Sequence, residues 1–103
     1  MLAVTQTIVI TKSDATWVNE SEVDVDIQHI MPSDDWVWLR QARENGWFTV
    51  TREVNDSGNE LTITRDWTDE GWTEYENLSN TIEDRKTALE NAGPEWSITE
   101  THS

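Results

Sequence analysis

Two arginines stand among apolar residues near the middle of the chain, where they could bind a ligand. Arg52 and Arg65 lie in segment 46–67, GWFTVTREVNDSGNELTITRDW, and each falls on the same alternating face as apolar residues. A charged group on a buried face needs a partner. Guanidinium groups bind planar anions through paired hydrogen bonds. The pattern therefore indicates a pocket for a small anionic or aromatic ligand, whose carboxylate or enolate the arginines would hold.

Five further residues complete this candidate pocket. Trp36, Trp67 and Tyr75 would form walls around an aromatic ring. His29 could transfer a proton. Glu100 falls on the same predicted face and could neutralise one arginine. A purely structural interpretation is also open, in which Glu100 pairs with one arginine, the other reaches the solvent at the rim, and His29 ends a strand.

A predicted β-hairpin positions the two arginines. Its strands alternate between apolar and polar residues on either side of 55–59, NDSGN, which is rich in turn-forming residues. A simple register places Arg52 opposite Ile63 and Arg65 opposite Val50. Diagonal neighbours on one face of a sheet lie about 7–8 Å apart. The two guanidinium groups could therefore share one partner.

Two helices are predicted around this hairpin. The first spans 33–45, and Gly46 is suited to the left-handed position that ends a helix, with Trp47 able to contact Ala42. The second begins after Thr68 or Asp69, breaks near Ser79, and ends before Gly93-Pro94. It carries an apolar stripe at helical spacing, composed of Trp72, Tyr75, Leu78, Ile82 and Leu89.

The predicted strands lead to a fold class. Segments 3–11 and 22–30 alternate as strands do, with His29 on the apolar side of the second, and a short strand includes Trp96 and Ile98. From residue 22 onward the order is βαββαβ. That order predicts a ferredoxin-like α+β sandwich, with an antiparallel sheet and two helices on one face. The segment 3–11 is then an extra strand, which could extend the sheet edge or cross to a partner subunit.

The length of 103 residues predicts a single domain. Residues 1–21 would form the N-terminal strand and loop, and residues 22–101 the βαββαβ core.

Charge and composition exclude several classes of function. The chain has 21 acidic and seven basic residues, a formal charge of −14. Binding to nucleic acid or to an acidic membrane needs clustered lysine and arginine, so neither is expected. Cysteine is absent, which excludes disulfides and thiolate catalysis. The cytoplasm is the expected location, since the sequence shows neither a secretory signal nor an apolar run of about 20 residues.

No cofactor or metal ion is predicted. The chain has two histidines, His29 and His102, and they are far apart in sequence. Asp24 and Asp26 would share one face of the strand 22–30, and two such carboxylates could serve as ligands of a divalent ion. Such a pair is more typical of a solvated face.

Residues 66–75, DWTDEGWTEY, resemble the antibiotic-biosynthesis-monooxygenase-like group of dimeric α+β barrels. In that group the third strand commonly ends in an aromatic residue, and an acidic stretch opens the second helix. Gly46-Trp47-Phe48 is also similar to the group, and the resemblance covers residues 22–101. It implies a homodimer with the two sheets facing each other, and a pocket between sheet and helices. The group includes cofactor-free oxygenases and haem-degrading enzymes.

The chain departs from the haem-degrading members of this group. Those members present a histidine from the second helix, whereas residues 69–92 contain none and Tyr75 or Glu76 stands at the comparable position. They also use an asparagine on the first strand, where residues 22–30 offer Gln28. Haem degradation is therefore not expected, although Trp67 could stand where the oxygenases place a tryptophan.

The face of the predicted sheet opposite the helices conflicts with a face-to-face dimer. It would carry acidic side chains among its threonines, at Asp24, Asp26, Glu53 and Asp66. Two such faces would bring like charges together. Shielding by the strand 3–11, placement of the acids at the rim, or a different dimer would resolve the conflict.

Three functions follow as hypotheses. The first is a dimeric ferredoxin-like protein that binds a small ligand or a protein partner without catalysis, which the seven tryptophans and the missing haem-type histidine favour. The second is a cofactor-free monooxygenase acting on an aromatic or quinol substrate, with Arg52, Arg65 and Trp67 converging on a cavity. The third is a structural or accessory phage protein, associated with the virion, because the small acidic chain is also similar to uncharacterised proteins of marine phages and marine metagenomes.

Overall fold

The computed structural model describes residues 2–27, 33–78 and 81–103. Within these ranges the chain is an α+β fold with four strands and four helices. In chain order the elements are β1 (Leu2–Lys12), α1 (Glu20–Ile27), α2 (Ser33–Glu44), β2 (Phe48–Val54), β3 (Glu60–Thr68), α3 (Asp69–Glu76), α4 (Thr81–Ala92) and β4 (Trp96–His102).

The strands form one antiparallel sheet in the order β2-β3-β1-β4. The predicted antiparallel sheet is confirmed. β1 lies inside the sheet, paired with β3 on one side and with β4 on the other. The expectation that segment 3–11 is an extra strand is therefore wrong, because this segment is a central strand. α1 and α2 connect β1 to β2, and α3 and α4 connect β3 to β4.

The predicted strand over 22–30 is also wrong, because Glu20–Ile27 forms the helix α1. Val23 and Ile27 are four residues apart, so a helix turns both towards the core, where both are buried. Asn19 caps this helix, since its side-chain Oδ1 accepts a hydrogen bond from the backbone N–H of Glu22 at 3.2 Å. His29 lies outside the described residues.

The hairpin has the predicted register. Arg52 pairs with Ile63 and Arg65 pairs with Val50 across β2 and β3. Asn55 holds the turn, because its Oδ1 accepts hydrogen bonds from the backbone N–H groups of Asn59 and Glu60, each at 3.1 Å.

The predicted helix endings are confirmed by the backbone geometry. Gly46 has a φ of 76° and follows α2. The N–H of Trp47 donates to the carbonyl of Ala42, and that of Gly46 to the carbonyl of Arg43, both at 3.0 Å. These are the two bonds of a Schellman ending.

The second helical region is broken, as predicted. Thr68 caps α3, because its side-chain oxygen accepts a hydrogen bond from the N–H of Gly71 at 3.0 Å. α3 ends at Glu76 and α4 begins at Thr81.

The helices cover one face of the sheet. Two clusters of buried residues fill the space between the helices and this face. The aliphatic cluster contains Ile8, Ile10, Trp17, Val23, Ile27, Leu61, Ile63, Leu89, Trp96 and Ile98. The aromatic cluster contains Leu39, Ala42, Phe48, Trp67 and Tyr75, with Trp38, Trp47, Trp72 and three further partly buried residues against it. Val50 packs against both clusters.

The other face, called the open face below, carries mainly threonine. Alternation along the strands places these side chains there: Thr5, Thr7, Val9, Thr11, Thr49, Thr51, Glu53, Glu60, Thr62, Thr64, Asp66, Ser97, Thr99 and Thr101. Asp24 and Asp26 were also expected on it, but both belong to α1. The described residues therefore leave fewer acids on the open face than the sequence predicted.

Candidate functional site

A cavity of about 280 Å³ lies between the sheet and the helices α1 and α2. Its floor comes from β1, β2 and β3, and its roof comes from the two helices. The described residues that line it are Ile10, Asp24, Ile27, Leu39, Arg40, Arg43, Phe48, Val50, Arg52, Leu61, Ile63 and Arg65. Apolar side chains from both core clusters line it, so the cavity lies at their boundary. We call it the arginine cavity.

Arginine is concentrated at this cavity. The chain has five arginines, and Arg40, Arg43, Arg52 and Arg65 line the cavity. Asp24 is the one acid among the described lining residues, in a chain that has 21 acids and seven bases. Four positive side chains and one negative side chain give the described lining a charge of 4 − 1 = +3. The described part of the lining is therefore positive in a strongly acidic protein.

Arg65 is the deep arginine. Its residue is 6% exposed, on the central strand β3. Its NH1 donates to Oε1 of Gln6 at 3.5 Å, and its guanidinium carbon lies 5.8 Å from the centre of the Phe48 ring. The aromatic face and the amide oxygen both stabilise the buried positive charge. Strand β3 and these two contacts hold Arg65 at the floor of the cavity.

Arg52 lies at the edge of the sheet and pairs with an acid from α1. Its NH1 is 2.8 Å from Oδ1 of Asp24, and the two side chains are 37% and 43% exposed. Exposed ion pairs of this kind stabilise a fold by at most about 1 kcal/mol. The pair joins α1 to β2 across the cavity, and it can separate at little cost.

Two more arginines come from α2. Arg40 and Arg43 are exposed, while the neighbouring Leu39 and Ala42 are buried in the aromatic cluster. Neither Arg40 nor Arg43 has a hydrogen-bond or ion-pair partner among the described residues. Packing of the buried face of α2 therefore holds these two arginines at the cavity.

A buried amide lies beside the deep arginine. Gln6 on β1 is fully buried, and its Oε1 accepts hydrogen bonds from the indole Nε1 of Trp67 at 3.1 Å and from Arg65. Its Nε2 donates to the hydroxyl of Tyr75 at 3.3 Å and to Oε1 of Glu100 at 3.5 Å. Both ends of the amide are thus occupied, as a buried polar group requires. Gln6 fixes the position of Arg65 relative to the aromatic cluster.

The hydrogen-bond network continues to the surface along β4. Oε1 of Glu100 is 2.8 Å from Nδ1 of His102. The centroids of the His102 and Trp72 rings are 4.8 Å apart. A line of polar contacts therefore runs from the cavity floor at Arg65 through Gln6 to the exposed end of β4.

The predicted site residues divide into two groups. Arg52 and Arg65 line the cavity. Trp67, Tyr75 and Glu100 lie outside it and instead surround Gln6. His29 and the side chain of Trp36 fall outside the described residues.

Three residues of the site were missed by sequence reasoning. Gln6 was a weak signal, an amide in the alternating segment 3–11. Arg40 and Arg43 resembled the solvated side of an amphipathic helix, and only the tertiary arrangement brings them to the cavity.

The described residues contain no metal site. Asp24 pairs with Arg52, while Asp26 accepts a hydrogen bond from Nε1 of Trp17 at 2.7 Å. Throughout residues 2–27, 33–78 and 81–103, no group of three or more histidines and acids is arranged to hold an ion.

No family model, curated protein or solved structure matches the chain. Among the helices described, none has the length and apolar character needed to cross a membrane.

Proposed function

We propose that the chain binds a small organic anion with an apolar or aromatic body in the arginine cavity. The observation that carries this proposal is the gathering of four of the five arginines around one cavity, in a chain with a formal charge of −14. Solvation alone would not require so many of the few cations at one concave site.

The lining matches an amphipathic ligand. The floor is apolar, from Ile10, Leu61 and Ile63, and would pack against a hydrocarbon or aromatic body. The guanidinium groups would bind the anionic group through charge-assisted hydrogen bonds. Small-molecule pockets commonly measure about 300–1,000 Å³, so a cavity of about 280 Å³ suits a small ligand.

Local charge makes such binding compatible with the acidity of the chain. A net negative charge repels an approaching anion over long distances. Within a concave site the nearest charges dominate, because screening by salt reduces the more distant ones. The +3 charge of the described lining therefore favours an anion once it enters.

The side chains of this site are better suited to binding than to catalysis. An arginine stays protonated in proteins, so the four guanidinium groups neither accept nor transfer protons. The one acid in the described part of the lining, Asp24, is paired with Arg52. A cofactor-free oxygenase of the resembling group would need Trp67 at the cavity, and Trp67 lies beside Gln6 instead. A structural phage protein would have a filled core at this place.

We also infer a ferredoxin-like fold and a homodimer of the dimeric α+β barrel kind. The strand order β2-β3-β1-β4, with helical connections after β1 and β3, supports the fold. The uncharged centre of the open face, at Thr7, Val9 and Thr64, supports contact between two sheets. Light scattering after size exclusion tests the dimer, and a mass equal to that of one chain would contradict it.

Calorimetric titration tests the binding proposal. 2-Naphthoate and the neutral 2-naphthamide share one ring system and differ in charge. We expect saturable 1:1 binding of the naphthoate, with a dissociation constant at least about tenfold lower than that of the amide, because hydrogen bonds to charged groups are the stronger ones. Equal affinity for the two, or no binding of either, would contradict an anion site.

A pair of variants locates the site. Arg43→Gln removes one positive charge at the cavity, and we expect it to weaken naphthoate binding at least about threefold. Lys86→Gln removes one positive charge from the exposed surface of α4, outside the described lining. An equal effect of both variants would mean that the anion responds to net charge and not to this cavity.

A further inference from the structure

Arg52 already has a carboxylate of the chain itself as its partner. Asp24 on α1 lines the arginine cavity and places its Oδ1 2.8 Å from NH1 of Arg52 on β2. Among the residues that the structure describes, this contact is the one hydrogen bond or ion pair of either side chain. A carboxylate is also a group through which a small organic anion would bind an arginine. Asp24 therefore occupies, on Arg52, a position that suits the anionic group of a ligand.

The pair of Asp24 and Arg52 can separate at little cost. The Arg52 side chain is 37% exposed and the Asp24 side chain is 43% exposed. Exposed ion pairs are weak, because water solvates both charges once they part. A ligand carboxylate held close by the apolar lining would therefore compete with Asp24 for Arg52 on favourable terms.

The helix α1 has attachments to the rest of the fold that do not involve Asp24. Val23 and Ile27 of α1 are buried in the aliphatic cluster. Asp26 of the same helix accepts a hydrogen bond from Nε1 of Trp17 at 2.7 Å, and Trp17 is itself a member of that cluster. Asp24 can therefore leave Arg52 while α1 stays packed on the sheet.

From these contacts we infer that Asp24 is an internal inhibitor of the arginine cavity. Without ligand its carboxylate occupies Arg52, and an anionic ligand binds Arg52 by taking the place of that carboxylate, which turns to the solvent. The affinity of a ligand is net of the contacts that binding must break. Asp24 therefore keeps the affinity for anions below what the cavity would have without this acid. This inference rests on the proposed function and describes the regulation of the same site.

Calorimetric titration of a matched pair of variants with 2-naphthoate tests the inference. Asp24→Asn removes the competing carboxylate, and we expect the dissociation constant to fall about fourfold, within the range that a weak exposed ion pair allows. Glu20→Gln removes one negative charge from the same helix, outside the described lining, and should change the dissociation constant by less than about twofold. Equal gains in the two variants would overturn the inference, because the ligand would then respond to net charge alone.

A double-mutant cycle separates competition for Arg52 from simple repulsion of the ligand. If Asp24 competes for Arg52, its removal helps only while Arg52 is present. The gain from Asp24→Asn should then fall from about fourfold to less than about twofold in the Arg52→Gln background. If Asp24 only repelled the anion, the gain would be the same in both backgrounds, and the internal inhibitor would be wrong. Both substitutions are at partly exposed side chains, and near-UV circular dichroism verifies the fold.

The neutral 2-naphthamide shows which of the two proposals has failed. If it binds the unchanged chain as tightly as 2-naphthoate does, the arginine cavity is not an anion site and both proposals fall. If 2-naphthoate is preferred but Asp24→Asn gives no gain beyond that of Glu20→Gln, the anion site stands and the internal inhibitor is wrong. The amide itself should bind Asp24→Asn and the unchanged chain equally, since a neutral group does not replace a carboxylate on Arg52. A similar gain for the amide would mean that the substitution acts through space in the cavity, which would also overturn the inference.

Discussion

The two core clusters of this protein differ in whether they enclose buried polar side chains. Among its buried members the aliphatic cluster has eight aliphatic residues and two tryptophans. The aromatic cluster packs its rings around two buried polar side chains, Gln6 and Arg65. Its packing is close, with the ring centroids of Phe48 and Trp67 4.6 Å apart. Both clusters lie on one sheet, under helices of similar length.

The difference indicates a division of roles. Apolar burial needs only volume and shape, so the aliphatic cluster can supply stability without fixing any particular orientation. A buried polar network is favourable only when every group is paired, and it then fixes the positions of its members. The aromatic cluster therefore orients Arg65. The arginine cavity lies at the boundary between this cluster and the aliphatic cluster, which supplies stability.

The largest effect should come from a deletion in the aliphatic cluster. Ile8 is fully buried on the central strand β1. Ile8→Ala should lower the free energy of unfolding by about 2–5 kcal/mol, from lost burial and the cavity left behind. Urea unfolding measures this. Val9→Ala, on the open face of the same strand, should change it by less than about 1 kcal/mol, and similar losses for both would contradict the assignment of faces.

A smaller loss is expected from the polar centre of the aromatic cluster. Gln6→Leu keeps a similar shape but removes the acceptor of Trp67 Nε1 and the donor to Tyr75. The unpaired groups should lower the free energy of unfolding by about 1–3 kcal/mol. The variant should also weaken 2-naphthoate binding, because Arg65 loses a hydrogen bond that positions it. A neutral or stabilising result would mean that the network contributes little to the fold.

Removal of one hydroxyl from the same network should have a still smaller effect. Tyr75→Phe deletes the hydrogen bond from Gln6, and the loss should be about 0.5–1.5 kcal/mol. In the Gln6→Leu background the same substitution should cost almost nothing, because the shared bond is already absent. Fully additive losses in this double-mutant cycle would show that Gln6 and Tyr75 do not act together.

Short-range signals predicted much of this fold. The hairpin register with Arg52 opposite Ile63, the ending of α2 at Gly46 and the cap of α3 at Thr68 each depend on residues close together in the chain. Such signals remain readable without knowledge of the tertiary structure, because their hydrogen bonds form within a few residues.

The failure over residues 22–30 has a physical cause. Val23 and Ile27 satisfy period 2 and also the spacing of four residues that buries a helix face, so the pattern alone does not distinguish the two structures. The decisive signal was Asn19 with Glu22, a polar residue followed three positions later by an acid. Glu22 accepts a hydrogen bond from the N–H of Val18 at 2.6 Å, which completes the capping of α1.

The rest of the site depended on long-range order. Only the placement of β1 between β3 and β4 brings Gln6 next to Trp67 and Glu100. Local sequence patterns do not give the order of the strands. The sequence therefore identifies Gln6 only as one polar residue in a predicted strand. Arg40 and Arg43 were missed for the same reason, since their place at the cavity depends on how α2 packs on β2.

The smallest effect on stability should come from the ion pair between Asp24 on α1 and Arg52 on β2. Asp24→Asn should change the free energy of unfolding by less than about 1 kcal/mol, because the Arg52 pair is exposed. Urea unfolding at low and high salt checks this, and a large loss at low salt alone would mean that the pair holds α1 in place. A stability close to that of the unchanged chain, together with tighter binding of 2-naphthoate, would separate the two roles of this aspartate. Asp24 would then pair with Arg52 in the absence of ligand. Unlike the residues of the aliphatic cluster, it would not be needed for the stability of the fold.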